Sequence, residues 1–206
     1  MNTDYHDHDM AAEDRSENKD RRGKLFVVSA PSGAGKTTLC RTALNYFPNL
    51  IRSVSYTTRQ PRQGERHGQD YFFIDEETFK RGIESGQWLE WARVHGNYYG
   101  TSADFVNSRL DEGNDIIMNI DVQGGEQILS RFDDSVGIFI LPPSLEELKK
   151  RLLKRGQDKT ADIEKRLIAA ETEMARKHRY DHVLLNDDLE EATGRFISII
   201  AGYQRQ

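Results

Sequence analysis

Ser29-Ala30-Pro31-Ser32-Gly33-Ala34-Gly35-Lys36-Thr37-Thr38 is the stretch whose residue types and spacing come nearest to specifying a chemistry. Gly33 and Gly35 can take backbone angles closed to other residues. The turn can therefore aim several N–H groups inward, at the positive end of the helix that follows. Lys36 would reach the β- and γ-phosphates of a bound triphosphate, and Thr37 would ligate Mg²⁺. The pattern G-x-x-x-x-G-K-[ST] asks for glycine where this chain has Ala30, a position that a small residue can fill. An ordinary glycine-rich turn would look similar. The apolar run Leu25–Val28 before it, and the helical spacing of Leu39, Cys40, Ala43, Leu44 and Phe47 after it, favour the phosphate loop.

Further reactive groups lie downstream. Thr57-Thr58-Arg59-Gln60-Pro61-Arg62-Gln63-Gly64-Glu65 has no periodicity, and Arg59 and Arg62 lie close enough to converge on one anion. Arginine suits that task because its planar fork meets phosphate oxygens in pairs. A solvated basic loop is the other reading. Glu90 sits between Trp88 and Trp91, either facing water or offering an acceptor to a cleft. Asp121 closes the apolar run Ile116–Ile120, as if at the carboxyl end of a central parallel strand. Arg151 and Arg155 share a helix face, and Arg166 lies near the start of the next helix. Such a pair of helices reads as a movable lid over phosphates, or else as a solvated helical hairpin.

These groups need a scaffold, and 206 residues suit one domain with inserted subdomains. The 36% hydrophobic and 31% charged content is that of a water-soluble globular chain, and the net charge of −5 argues against a general nucleic-acid binder. No apolar run approaches the ~20 residues of a membrane span, and no signal peptide is expected from the polar first 24 residues. Cys40 is the only cysteine, so an internal disulfide is impossible. Its place on the apolar face of the first helix predicts packing rather than chemistry. The expected location is the cytoplasm. Residues 1–23 are acidic and almost without apolar groups, a mobile tail by composition; His6 and His8 there have no scaffold to make them metal ligands.

Strands are predicted near Leu25–Val28, Arg52–Tyr56, Tyr71–Ile74, Trp88–Val94, Ile116–Asp121, Val136–Leu141 and His182–Leu185. Helices are predicted after the glycine-rich loop and over Glu76–Ser85, Ser102–Glu112, Gln123–Phe132, Ser144–Arg155, Ala161–His178 and Leu189–Tyr203. A break is predicted at Gly156–Asp158, and Gly96–Thr101 reads as a turn carrying two phenols. Alternating strands and helices imply a parallel sheet covered on both faces. Residues ~53–103, with several short strands around one helix, read as an inserted mixed lobe.

Taken together, SAPSGAGKTT, SYTTRQPRQGE, DYFF, GNYYGT, NIDVQG, RLLKRGQD and LLNDD resemble the guanylate kinases, specifically the bacterial type. The resemblance runs from about Lys24 to the C-terminus. It implies an α/β P-loop NTPase fold: a three-layer core with a parallel sheet, an inserted mixed GMP-binding lobe and a helical lid. Residues 24–206 would form the domain, with core segments 24–52 and 104–206, the lobe at 53–103 and the lid at about 146–178.

The implied reaction moves the γ-phosphoryl of ATP to GMP, and by extension dGMP, with Mg²⁺, in purine nucleotide metabolism and GMP recycling. Ala30, Pro31, Ser32, Gly33, Ala34, Gly35, Lys36, Thr37 and Thr38 would hold ATP, with Asn186 near its adenine. Arg59, Arg62, Tyr71 and Tyr99 would surround the GMP phosphate. Ser55 and Thr101 would offer hydroxyls to guanine O6, and Glu90 and Asp121 would accept from N1–H and the 2-amino group. Lys36, Arg59, Arg151, Arg155 and Arg166 would carry the catalytic charge. One position departs from the family: the strand that usually ends acidic-Ile-Asp reads Asn119-Ile120-Asp121 here. Asn119 can join Mg²⁺ only as a neutral group through water, while Thr37 remains the direct ligand. No nucleic acid or membrane partner is expected, and the oligomeric state is not encoded legibly. Two rivals use the same residues: a non-catalytic guanylate-kinase-like module for phosphorylated peptides, and a kinase for another phosphorylated acceptor. The intact loop and lid weigh against the first, and the guanine set against the second.

Overall fold

A computed structural model describes residues 21–94, 96–155 and 160–204. Five parallel strands form the central sheet: β1 (Leu25–Ser29), β2 (Leu50–Ser53), β7 (Asp115–Asn119), β8 (Ser135–Leu141) and β9 (His182–Leu185), in the order β2-β7-β1-β8-β9. Burial of every β1 residue explains its unbroken apolar run, as expected for a strand covered on both faces. Successive side chains point to opposite faces. Phe26 and Val28 pack with α1 (Lys36–Tyr46) and α7 (Leu189–Gln204) through Leu39, Ala43, Phe196 and Ile200. Leu25 and Val27 pack with Val106 and Leu110 of α3 (Ala103–Asp111) and Ile128 of α4 (Val122–Leu129). The result is the three-layer core.

The strand register determines where the site lies. Val28 is level with Asn119, and Ser53 with Met118, so β1, β7 and β2 finish side by side. Their carboxyl ends deliver Ala30–Lys36, Asn119–Asp121 and Ser53–Ser55 to one edge of the sheet, the usual ligand edge of an open α/β fold. On the other side of β1, Leu141 is level with Leu185, which brings Asn186 beside the glycine-rich loop.

The inserted lobe holds a second sheet of β3 (Tyr56–Thr57), β4 (Phe72–Phe73), β5 (Trp88–Val94) and β6 (Asn97–Ser102), in the order β4-β3-β6-β5. Helix α2 (Glu76–Glu84) packs Phe79 beneath it, stacked on Trp88 and Tyr98. The Gly96–Thr101 stretch, expected as a turn, is largely strand β6. Gly96 at φ 85° makes the tight reversal, and antiparallel pairing with β5 then extends the chain. The two phenols consequently face opposite ways: Tyr98 stacks on Phe79, while Tyr99 reaches Arg59.

Over the sheet edge, α5 (Leu145–Arg155) and α6 (Thr160–Met174) close on a small core of their own, Leu148, Leu152, Ile163 and Ala170. Ser144 caps α5, accepting from the Glu147 amide at 3.1 Å. The helix expected to run to His178 stops at Met174 and tightens into a 3₁₀ turn over Ala175–Arg179. That tightening carries the chain to Tyr180, which is buried against Phe139 and Val122. The break expected at Gly156–Asp158 lies outside the described residues, as do residues 1–20. Arg21 and Gly23, assigned to the tail by composition, are pinned to the core: Arg21 pairs with Asp115 at 3.1 Å, and the Gly23 amide donates to Leu110 at 2.8 Å. Among the described residues no helix is long and apolar enough to cross a membrane.

Candidate active site

The loop after β1 turns back through two left-handed glycines, Gly33 at φ 98° and Gly35 at φ 100°. Gly35 also leaves no room for a side chain: a Cβ there would lie 2.2 Å from Asn186 Nδ2. Asn186, expected beside adenine, is buried, and its amide donates to the Ala34 carbonyl at 2.7 Å, bracing the loop. Arg151 extends the brace, donating to the Asn186 carbonyl at 3.0 Å. Arg166, from α6, donates to Ser32 Oγ at 3.2 Å, and Leu148 and Leu152 press against Gly33. The α5–α6 pair therefore rests on the loop through both polar and apolar contacts. The side chain of Arg155 lies outside the described residues.

Lys36 opens α1 and donates to the Ile120 carbonyl. Burial pulls its ammonium below the usual lysine range, opposed by Cys40, Asp121, Glu173 and Glu90. Thr37 stands beside Asn119, whose amide donates to Thr37 Oγ1 at 3.5 Å. Among the described residues no three His, Cys, Asp or Glu side chains gather as a metal cage. Mg²⁺ takes few protein ligands and is satisfied mainly by water and phosphate oxygens, so a lone threonine hydroxyl with a neutral amide beside it fits a phosphate-borne Mg²⁺. Cys40 is buried, and burial raises its thiol to about 12, consistent with packing rather than reactivity.

Across the cleft the lobe presents a second constellation. A register shift in β5 between Trp88 and Glu90 is a β-bulge, which re-aims side chains. It buries Leu89 and Glu90 in succession and sets Glu90 level with Thr101. Glu90 Oε1 accepts from Thr101 Oγ1 at 2.7 Å, and that hydroxyl lies 3.4 Å from Ser55 Oγ. Glu90 is only 3% exposed, and burial raises its carboxyl to about 7. Asp121 lines the same cavity while capping α4, where its oxygens accept from the Gln123 and Gly124 amides, each at 3.2 Å.

Arg59 donates to Tyr99 OH at 3.2 Å and grips Glu65 through both terminal nitrogens, at 2.8 and 3.0 Å. Its guanidinium lies 5.4 Å from the Tyr71 ring centre. Arg62 and Tyr71 line the cavity shared with Ser55, Tyr99 and Asn119. The structure thus gathers Ala30, Ser32, Ser55, Arg62, Tyr71, Glu90, Tyr99, Asn119, Asp121 and Arg166 around one cavity, and Thr37 and Arg59 around its continuation. Arg151 points elsewhere, to Asn186 and Glu147.

Two acidic residues of the site escaped the sequence reading. Glu65 orients Arg59, and the only hint of it was its place at the end of the basic loop. Glu173 lines the same cavity, and burial raises its carboxyl to about 7, with Lys36 opposing. Its spacing of two helical turns from Arg166 would have put both on one face of the lid helix.

Comparison with known proteins points to one family. The guanylate kinase family profile matches residues 22–203. The chain is 48% identical over 184 residues to a guanylate kinase of Geobacter sulfurreducens, covering 89% of this chain and 91% of that protein. It is 49% identical over 176 residues to one of Nitrosomonas europaea, covering 85% and 88%. The crystal structure of a guanylate kinase from Anaplasma phagocytophilum superposes with a TM-score of 0.76 at 34% identity, covering 90% of this chain and 88% of that one.

Proposed function

The chain belongs to the guanylate kinase family and is a kinase that converts ATP and GMP to ADP and GDP, and we propose that the cleft between sheet edge, lid and lobe divides this reaction between two sites. The loop Ala30–Thr38 holds the ATP phosphates, and the lobe holds GMP. The observation that carries this reading is the buried chain Ser55–Thr101–Glu90, which opens on the same cavity as Arg62 and Tyr71. A guanine ring offers N1–H and 2-amino donors to Glu90 and Asp121, and its O6 takes a hydroxyl proton from Ser55, while Thr101 gives its one proton to Glu90 and holds that carboxylate in place. The phosphate lies between Arg59, Arg62, Tyr71 and Tyr99. Adenine has neither donor, so AMP would leave the buried Glu90 with no donor from the base and only its bond from Thr101. Discrimination of that kind reaches ~10⁴-fold.

The acceptor phosphate oxygen is already nucleophilic, so the protein's tasks are in-line positioning and charge neutralisation. Lys36 neutralises the transferring group, with Arg166 approaching it from the lid. Arg151 acts on the loop through Asn186. Arg62 offsets charge on the acceptor, which otherwise repels the donor, and Arg59, oriented by Glu65, presents directed N–H donors to it. Thr37 is the ligand that would hold Mg²⁺, with Asn119 beside it through water, and the ion supplies charge neutralisation at the phosphates. Closure of lid and lobe excludes water and suppresses wasteful ATP hydrolysis. The substrates' chemistry and the lack of any possible internal disulfide support a cytoplasmic enzyme.

A coupled ADP-release assay over GMP, dGMP, AMP, UMP and a phosphorylated sugar tests the reading. Turnover with GMP and dGMP is expected, and equal turnover with AMP or the sugar phosphate overturns it.

A further inference from the structure

Arg52 has no part in the site outlined so far. It lies in β2, one residue before the strand's end, and its half-buried side chain leaves the core for the lobe. There Nη2 donates to the Asp70 carbonyl at 3.0 Å, immediately before Tyr71. Arg52 lines the same cavity as Thr37, Arg59, Arg62 and Tyr71. Its charge is felt on both sides of that cavity. It opposes the upward push of burial on the Tyr71 hydroxyl in the lobe and on the Cys40 thiol in α1.

The charge balance gives this position its meaning. Arg59 is already matched by Glu65, so that pair brings little net charge to an arriving phosphate. A phosphate monoester near neutral pH carries about two negative charges. Arg62 supplies one countercharge. Arg52 supplies the other: its one described hydrogen bond is to a neutral carbonyl and it forms no ion pair among the described residues, while the carboxylate of Asp70, which also lines the cavity, accepts from the Arg66 amide. A guanidinium has five N–H donors, so a bond to Asp70 leaves others for an anion.

We propose that Arg52 is a third guanidinium of the acceptor-phosphate pocket and positions GMP's phosphate from the core side. Because it also holds the Asp70 carbonyl, it ties the place of the phosphate to the place of the lobe. The inference rests on the reading that GMP's phosphate lies beside Arg59 and Arg62.

Arg52→Met, Arg52→Lys and Arg59→Met are compared with the parent at saturating ATP. KM for GMP is measured at low and high salt, and kcat, KM for ATP and melting temperature are followed alongside. Arg52→Met is expected to raise KM for GMP about ten-fold, more than it lowers kcat, with KM for ATP within about two-fold of the parent. Its KM for GMP is expected to respond less to salt, since one screened attraction is gone. Arg52→Lys is expected to recover most of the loss. A KM for GMP within two-fold of the parent in Arg52→Met, while Arg59→Met raises it, overturns the inference and leaves the placement of the phosphate standing. No change in either variant removes that placement itself. A proportional loss in kcat and both KM values with a lowered melting temperature, unrescued by lysine, marks a purely structural arginine and also overturns the inference.

Discussion

Arg59 is clamped by Glu65 through two parallel contacts, Nη2 to Oε1 at 2.8 Å and Nη1 to Oε2 at 3.0 Å. Oε2 also accepts from the Arg62 amide at 2.7 Å, so one carboxylate sets both the guanidinium plane and the loop. Burial pushes the Glu65 carboxyl up, but bonds from Arg59 and the Arg62 amide outweigh it and hold the group below its usual range. Pre-orientation of this kind lowers the entropy cost of gripping a phosphate. Glu65→Ala is therefore expected to raise KM for GMP by about ten-fold, or ~1.4 kcal/mol, through a freed Arg59. Steady-state kinetics with GMP varied measure this. A KM equal to or below the parent's would mean that Glu65 only competes with the phosphate.

Glu90 makes the protein's stability depend on pH in an unusual direction. Burial raises its carboxyl from 4.5 to about 7 in the folded chain. The folded state thus holds the proton more tightly than the unfolded one. Its contribution to stability is complete below about 4.5 and is lost as pH rises through about 7. The full difference is on the order of 3 kcal/mol. Glu173 adds a contribution of the same sign. Glu90→Gln is expected to gain on the parent in melting temperature between pH 5 and pH 8, in the absence of nucleotide. A difference between the two proteins that does not vary with pH would contradict this origin.

Gly35 carries two constraints that no other residue meets. At φ 100° a side chain is strained, at about 1–3 kcal/mol, and its Cβ would strike Asn186 Nδ2. Gly35→Ala is expected to lower stability by that order and kcat by more than about 100-fold, because the brace from Asn186 to Ala34 must break. Adding Asn186→Ala removes the collision without restoring the brace. The double variant should recover some stability and almost no turnover; full recovery of turnover would exclude the brace.

Asn119 ends β7, and its amide meets Thr37 Oγ1 at 3.5 Å. Asn119→Asp places a charge beside the proposed Mg²⁺ ligand. The Mg²⁺ concentration for half-maximal rate should fall by about 3–10-fold, a gain of roughly 1 kcal/mol. Rates measured across Mg²⁺ at fixed ATP would decide it, and an unchanged requirement would show that Asn119 lies outside the ion's reach.

How much of this was legible in the sequence follows from which contacts are local. The phosphate loop was readable because a buried run, two glycines and a helical apolar pattern all lie within 20 or so residues. The parallel core followed from alternating elements, and the helices expected to begin at Ser102 and Ser144 do begin there, each capped by that serine. The lobe was harder. The bulge that turns Glu90 onto Thr101 depends on pairing with β6, and β6 itself was hidden because two glycines and two tyrosines imitate a turn. Glu65 and Glu173 left only weak local hints, and Arg52 left none. Glu173 and Arg52 acquire their roles only when elements distant in sequence meet at the sheet edge, and charge alone reads as a solvated surface.

The central claim is that Glu90, with Thr101 and Ser55 behind it, selects guanine while the arginine pocket holds the phosphate. Its most direct measurement is the ratio of kcat/KM for GMP to that for AMP, in the parent and in Glu90→Gln, by coupled ADP release. The account predicts a parent ratio of at least ~10³ and a collapse of that ratio by 100-fold or more in the variant, driven by loss of GMP use with AMP use nearly unchanged. A ratio that survives the substitution, or falls only because AMP use rises, would contradict it.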